Sequence, residues 1–182
     1  MIKLLTERLI IRDYIIEDLE THHELLSDKT VMYYLQDVLR NNIEESKKEL
    51  LDLIKEQIKT DRNYYRFRIE DKESKELIGG IGYDVLNNTP HGKLVHLGYF
   101  IKEKFWNKGY TTEAVKRILE FSFLENNVYR IHTGCLKENI FSEKIMKKCG
   151  FIKEAEFKDF VFHDGKLKDR VEYRMLKNEW KK

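Results

Sequence analysis

The sequence has few of the residues that mark specialised protein classes. Only two cysteines, Cys135 and Cys149, occur in 182 residues, so no disulfide framework is encoded and a reducing cytoplasm is the expected compartment. No apolar run approaches the ~20 residues of a membrane-spanning helix, and the first residues lack the apolar segment of a signal peptide. The histidines and cysteines show neither Cys-x-x-Cys nor His-Glu-x-x-His spacing, so we expect no metal site. These absences argue against secreted, membrane-spanning and zinc-finger proteins.

An excess of charge of one sign is also absent. The 34 basic and 32 acidic residues leave a formal net charge of +2. A nucleic-acid-binding protein normally concentrates excess Lys and Arg, so we expect neither nucleic acid nor a membrane as partner. Hydrophobic residues make up 41% of the chain and aromatic residues 12%, which is enough to form a core. The single proline, Pro90, lies in a turn, and no linker or repeat is present, so we predict one domain over residues 1–182.

Hydrophobic periodicity predicts a mixture of helices and strands. The expected strands cover residues 8–12, 64–69, 77–86, 93–101 and 129–135, followed by two strands that flank the Asp164-Gly165 turn. The expected helices cover residues 18–27, 42–59, 110–126 and 140–149. Because helices and strands do not alternate regularly, this order indicates an α+β fold and not a doubly wound sheet.

The segment from His96 to Ala114 carries the clearest chemical signal, because a strand runs through a short loop into an amphipathic helix. The first turn of a helix presents unpaired N–H groups and the positive end of the helix dipole, so it binds anions readily. Gly109 allows close approach of the backbone, Lys108 supplies a cation, and two threonines supply hydroxyls. These residues fit a pyrophosphate site, but they fit an ordinary strand–turn–helix connection as well.

The run Trp106–Ala114 resembles the acetyl-CoA pyrophosphate loop of the GCN5-related N-acetyltransferases. The similarity is to the branch that includes the ribosomal-protein alanine N-acetyltransferases. Three further segments resemble this branch in the right order: Thr6–Arg12, Leu97–Ile101, and Asn139–Ser142 followed by Lys148–Phe151. The resemblance covers about residues 6–180. It implies a mixed, mainly antiparallel sheet with splayed middle strands and about four flanking helices.

The resemblance also implies a reaction, in which an acetyl group moves from acetyl-CoA to a primary amine by direct attack in a ternary complex. The acceptor would be a protein N-terminus or a small-molecule amine, and the oligomeric state stays open, a homodimer included. The implied coenzyme contacts are Phe100 and Ile101 through their main chain, Asn107, Lys108, Gly109, Tyr110, Thr111 and Thr112 around the pyrophosphate, and Asn139 at the pantetheine. Two positions depart from the superfamily pattern, because Trp106 replaces Arg or Gln and Thr111 replaces Gly or Ala.

Two residues are candidates for proton transfer. His96 lies just before the Leu97-Gly98-Tyr99 motif, and an imidazole with a pKa near 6.5 can take a proton from the amine. An ordinary half-buried strand histidine fits the same position, and Tyr83 and Asp84 are alternative bases. Ser142 lies one helical turn after Asn139, and relatives place a serine here as a donor to the leaving thiolate.

Other readings of these residues remain open. Asn139 fits a helix N-cap as well as a coenzyme contact. The aromatic-rich segment Val31–Leu35 fits an acceptor pocket or, as we favour, core packing. His22 is expected on an exposed helix and His132 in a core strand, both with structural roles. A catalytically silent acyl-CoA-binding or interaction module is the alternative to an enzyme.

Overall fold

The protein is described over residues 1–181 by a computed structural model. Within these residues the strands are β1 Lys3–Leu5, β2 Leu9–Arg12, β3 Tyr64–Asp71, β4 Leu77–Thr89, β5 Gly92–Ile101, β6 Val128–Leu136, β7 Ile152–His163 and β8 Lys166–Leu176. The α-helices of the same residues are α1 Leu19–Ser27, α2 Ile43–Gln57, α3 Tyr110–Glu120 and α4 Ile140–Lys148. The predicted α+β class with four flanking helices is confirmed.

The strands form one mixed sheet in the order β1-β2-β3-β4-β5-β6-β8-β7. β1, β2, β3 and β4 are successive antiparallel neighbours, and β8 pairs antiparallel with both β6 and β7. β5 and β6 pair in parallel, so their connection needs a crossover, which α3 supplies. The mainly antiparallel sheet implied by the family resemblance is therefore confirmed.

Two compact units divide the chain. The first contains Met1–Asp84 and Gly98–Arg117, and the second contains Val85–Leu97 and the residues from Ile118 onward. In the first unit, one cluster of buried side chains consists of Leu25, Leu26, Val31, Met32 and Leu77. The second unit buries large side chains of its helix and strand faces, including Phe123, Ile131, Met146 and Tyr173. A single domain over residues 1–182 stays a prediction.

Helix α2 shows why the sequence folds locally as predicted. The side chain of Asn42 accepts a hydrogen bond from the Glu45 N–H at 2.9 Å, and the Asn42 amide donates to the Glu45 carboxylate at 3.0 Å. The first of these bonds satisfies a backbone N–H that the first helical turn leaves open, and the second holds the capping side chain in place. Leu50 and Leu53 form the buried stripe. Ile58 lies just past the end of the helix and is 82% exposed.

Several local expectations were wrong. β1 was missed because three residues are too few to show an alternating pattern. His22, expected on an exposed helix, is buried, with its ring 4.8 Å from that of Tyr14. In the Val31–Leu35 segment, core packing is confirmed for Val31 and Met32, whereas Tyr33 and Tyr34 are exposed.

No helix among residues 1–181 is both long and apolar enough to cross a membrane.

Candidate active site

The loop before α3 has the backbone shape of an anion-binding turn. Asn107 and Gly109 both have positive φ angles, 59° and 81°, whereas Lys108 between them does not. Asn tolerates this left-handed conformation better than other non-Gly residues, and Gly has no steric cost there. Such turns gather successive N–H groups into a concavity, and here the turn leads directly into the first turn of α3. Lys108 is exposed beside it, so the residues present fit a diphosphate group.

A clamp from the N-terminal segment fixes this loop. The Arg8 guanidinium donates to the Lys108 carbonyl at 3.0 Å and lies 4.3 Å from the centre of the Tyr110 ring. The same guanidinium donates to the Glu113 carboxylate at 2.7 Å, and the Thr6 hydroxyl donates to Glu113 at 2.6 Å. Burial works against the charged form of Glu113, but these hydrogen bonds lower its pKa overall. The Thr6–Arg8 segment, which connects β1 to β2, therefore supports the loop.

Sequence reasoning missed the roles of Arg8 and Glu113. It matched Thr6–Arg12 to the family only as an opening strand and assigned no role to Glu113. The available signal was a carboxylate in the first turn of α3, which favours a helix N-terminus but does not identify its partner more than 100 residues away.

Trp106 and Thr111, the two departures from the family pattern, have defined environments in the first unit. The Trp106 indole donates to the Ile101 carbonyl at 2.9 Å, so this tryptophan ties the loop to the end of β5. Thr111 is buried, whereas Thr112 is half-buried. Phe100 packs against the Leu25 cluster of the first unit.

Asn139 caps α4 in the second unit. Its side-chain oxygen accepts a hydrogen bond from the Ser142 N–H at 3.1 Å, so the N-cap reading is confirmed. The Ser142 hydroxyl forms a hydrogen bond with the Cys135 thiol, and that thiol also lies 3.7 Å from the Asn139 carbonyl oxygen. Burial raises the pKa of Cys135 to about 11, so the thiol is protonated at neutral pH. Cys135 is therefore no nucleophile. Its protonated thiol is the group of β6 to which the Ser142 hydroxyl bonds.

His96 marks the end of the ladder between β5 and β6. The last registered pair is His96 with His132, although β5 continues to Ile101 and β6 to Leu136. The two imidazole rings stack with centroids 4.8 Å apart and planes inclined by 29°. Both side chains are half-buried.

The alternative bases lie in less suitable surroundings. Tyr83 is fully buried, with its ring 4.9 Å from that of Tyr65. Asp84 forms an ion pair with Arg66 at 2.6 Å. Asp84 also borders a cavity of about 620 Å³ in the first unit, lined by Arg40, Glu45, Lys48, Glu49, Asp52, Leu53, Tyr64 and Arg66.

Comparison with known proteins decides the family. A family model described as an acetyltransferase (GNAT) domain matches residues 8–152. The uncharacterized N-acetyltransferase YnaD of Bacillus subtilis is 31% identical over 96% of this chain and 97% of that protein. The chain belongs to the GCN5-related N-acetyltransferases. It is thus an acetyl-CoA-dependent acyltransferase, and its family uses acetyl-CoA as acetyl donor.

Further relatives carry different acceptors in their names. The ribosomal protein uS5 alanine N-acetyltransferase of Escherichia coli is 28% identical over 71% of this chain and 66% of that protein. The spermidine N-acetyltransferase of Vibrio cholerae, in complex with CoA and spermine, has a TM-score of 0.83 and 23% identity, covering 96% of this chain and 98% of that one. The second likeness shows the fold alone. The family model and the curated N-acetyltransferases confirm the resemblance noted in the sequence.

Proposed function

We propose that this GCN5-related enzyme transfers the acetyl group of acetyl-CoA to a primary amine, a protein N-terminal α-amine or a small-molecule amine, by direct attack in a ternary complex. The observation that carries this proposal is the turn with positive φ at Asn107 and Gly109, held by Arg8 at the start of α3. The known acceptors of relatives differ, so the scaffold does not fix the acceptor.

The turn supplies the proposed contacts to the diphosphate, and other residues supply those to the pantetheine arm. The backbone N–H groups of Asn107 to Thr112 bind the diphosphate, and Lys108 adds a positive charge. Tyr110 and Thr111 contribute through their N–H groups, because the Tyr110 ring is covered by Arg8 and Thr111 is buried. The main chain of Phe100 and Ile101 and the side-chain amide of Asn139 bind the pantetheine arm.

Two side chains of the second unit move protons. His96 accepts the proton that the attacking amine must lose, because a charged ammonium has no lone pair to attack the thioester. The Ser142 hydroxyl donates a hydrogen bond to the departing thiolate. The buried Cys135 thiol beside it stays protonated and leaves Ser142 as the nearby oxygen donor.

Calorimetric titration with acetyl-CoA tests the coenzyme site. Gly109→Val places a β-branched side chain at a φ of 81°, with its Cβ 3.4 Å from Arg8, so the affinity should fall about tenfold or more. Gly165→Val is the matched control, because Gly165 has a φ of 73° but no atom within 4 Å of its Cβ position. Equal affinities in both variants would contradict the assignment of the loop.

A coenzyme A release assay tests catalysis. The panel contains peptides beginning with Ala, Ser and Met, together with putrescine, spermidine and lysine. We expect release that depends on at least one amine, and Ser142→Ala should lower turnover about tenfold without changing acetyl-CoA affinity. Binding of acetyl-CoA without release for any amine would indicate the catalytically silent module instead.

A further inference from the structure

One face of the sheet in the second unit carries a row of ionisable side chains. His96 on β5 and His132 on β6 face each other as a stacked pair. Side chains two residues apart on a strand share a face, so Gly134 lies on the same face as His132. Glu172 on β8 is the register partner of Gly134 and belongs to this face as well. The stacked histidines of β5 and β6 and the Glu172 carboxylate of β8 therefore lie near each other on one face of the sheet.

Gly134 leaves the space that the Glu172 carboxylate occupies. A Cβ at Gly134 would lie 2.6 Å from both carboxylate oxygens, closer than any side chain permits. One of these oxygens, Oε1, accepts a hydrogen bond from Arg170, whereas the buried Oε2 makes no hydrogen bond within the described part of the chain. A buried carboxylate oxygen without a donor is unfavourable, and an ammonium group offers three donors to such an oxygen.

β6 separates this row from the proposed thiolate donor. Cys135 follows Gly134 directly, so its side chain lies on the opposite face of the strand, where it bonds to Ser142. Both residues lie beyond His132, where the ladder with β5 has ended. Around this stretch of β6, one face offers a proton acceptor and the other offers a donor, as amine attack on a thioester requires.

We propose that Glu172 and the stacked pair of His96 and His132 form the site that receives the ammonium group of the acceptor and takes its proton. This inference rests on the proposed acetyl transfer and specifies acceptors that arrive as cations. Glu172 Oε2 binds the ammonium. One N–H bond of the ammonium breaks and one N–H bond forms on a neutral nitrogen of His96, and the resulting imidazolium later returns this proton to water.

The pair holds one proton at a time, because two imidazolium rings at this distance repel each other while a single one is balanced by Glu172. Burial lowers the pKa of His132, with Glu172 acting in the opposite direction. The other charged groups that face His132 are Arg130 on its own strand, Arg170 and Arg174 on β8, and Glu154 on β7. Three of these four are cations, and they favour the neutral imidazole that a proton acceptor requires.

The test compares Glu172→Gln, Gly134→Ala and the control Glu154→Gln with the wild type. Glu172→Gln removes the charge, whereas Gly134→Ala displaces the carboxylate and keeps the charge. For the fastest amine of the panel, both should raise KM about tenfold and move the acid limb of the kcat/KM profile to lower pH, because an imidazole without its carboxylate protonates at lower pH. Glu154→Gln removes an exposed carboxylate near His132 and should change KM less than about twofold.

A second measurement needs no substrate. In the free protein, NMR titration of the histidine ring carbons should show the pKa of His132 falling in Glu172→Gln, because the carboxylate raises it in the wild type. An unchanged His132 titration, or a KM and pH profile equal to those of Glu154→Gln while the wild type turns over, would overturn the inference alone. Absence of amine-dependent coenzyme A release by the wild type would overturn the proposed function and this inference with it.

Discussion

At the scale of single residues, the environment of a side chain decides its chemistry more than its type does. His22, His96 and His132 are all histidines, yet only the last two form a stacked pair at the end of a strand ladder. His22 is buried against Tyr14, and neither of its ring nitrogens makes a hydrogen bond within residues 1–181. The sequence showed six histidines without indicating which of them share surroundings.

His22 makes folding stability depend on pH. Burial lowers its pKa from 6.5 to about 4, so the unfolded chain takes up a proton below pH 6.5 while the folded protein does not. The free energy of unfolding therefore falls as the pH drops from 6.5 towards 4, by about 3 kcal/mol from this group. His22→Leu should remove this loss, measured as a smaller change in urea midpoint between pH 7 and pH 4.5.

The control for this prediction is His91→Gln, which changes an exposed histidine. It should show the same pH dependence as the wild type. A His22→Leu variant that loses stability on acidification as steeply as the wild type would contradict the argument.

At the scale of elements, capping and register explain which parts of the fold were predictable. Helix α4 was predicted to within one residue, because Asn139 caps its start and Gly150, at a φ of 85°, ends it. The Phe151 and Gly150 N–H groups bond to the Met146 and Lys147 carbonyls, which is the pattern that a left-handed glycine allows. Helix α3 ends instead in the π turn Phe121–Glu125, which hydrophobic periodicity does not distinguish from an α-helix.

The first turn of α3 is the element whose support was not predictable, since Glu113 bonds to Thr6 and Arg8 across the fold. Glu113→Gln should lower the free energy of unfolding at pH 7 by about 1–3 kcal/mol and weaken acetyl-CoA binding severalfold, because Arg8 then loses its anchor beside Lys108. The pKa of Glu113 is lowered in the folded protein, so its contribution is present above the ordinary glutamate pKa and is lost as the pH falls through the lowered value.

Chemical denaturation and calorimetry measure both effects. Glu103→Gln is the matched control, because Glu103 is an exposed carboxylate before the loop, and the Arg8 guanidinium bonds to Glu113 and Lys108 instead. Equal stability and affinity in the two variants would show that the clamp does not support the loop.

At the scale of the whole molecule, each compact unit carries its own candidate residues. The loop residues Asn107 to Thr112 belong to the first unit, whereas His96, Asn139 and Ser142 belong to the second. The sequence predicted the α+β class, the order of elements and the loop, because each depends on local pattern or motif. It predicted neither the Arg8 clamp nor the position of Glu172 over Gly134, because both depend on which distant strands become neighbours.

The central claim is that the turn from Asn107 to Thr112 binds the diphosphate of acetyl-CoA, and a crystal structure of the complex tests it most directly. We expect the diphosphate oxygens within hydrogen-bond distance of the backbone N–H groups of this turn, about 2.7–3.2 Å. We expect the Arg8 guanidinium to remain on the Lys108 carbonyl. Ordered coenzyme with its diphosphate elsewhere, and this turn in contact with solvent alone, would contradict the account.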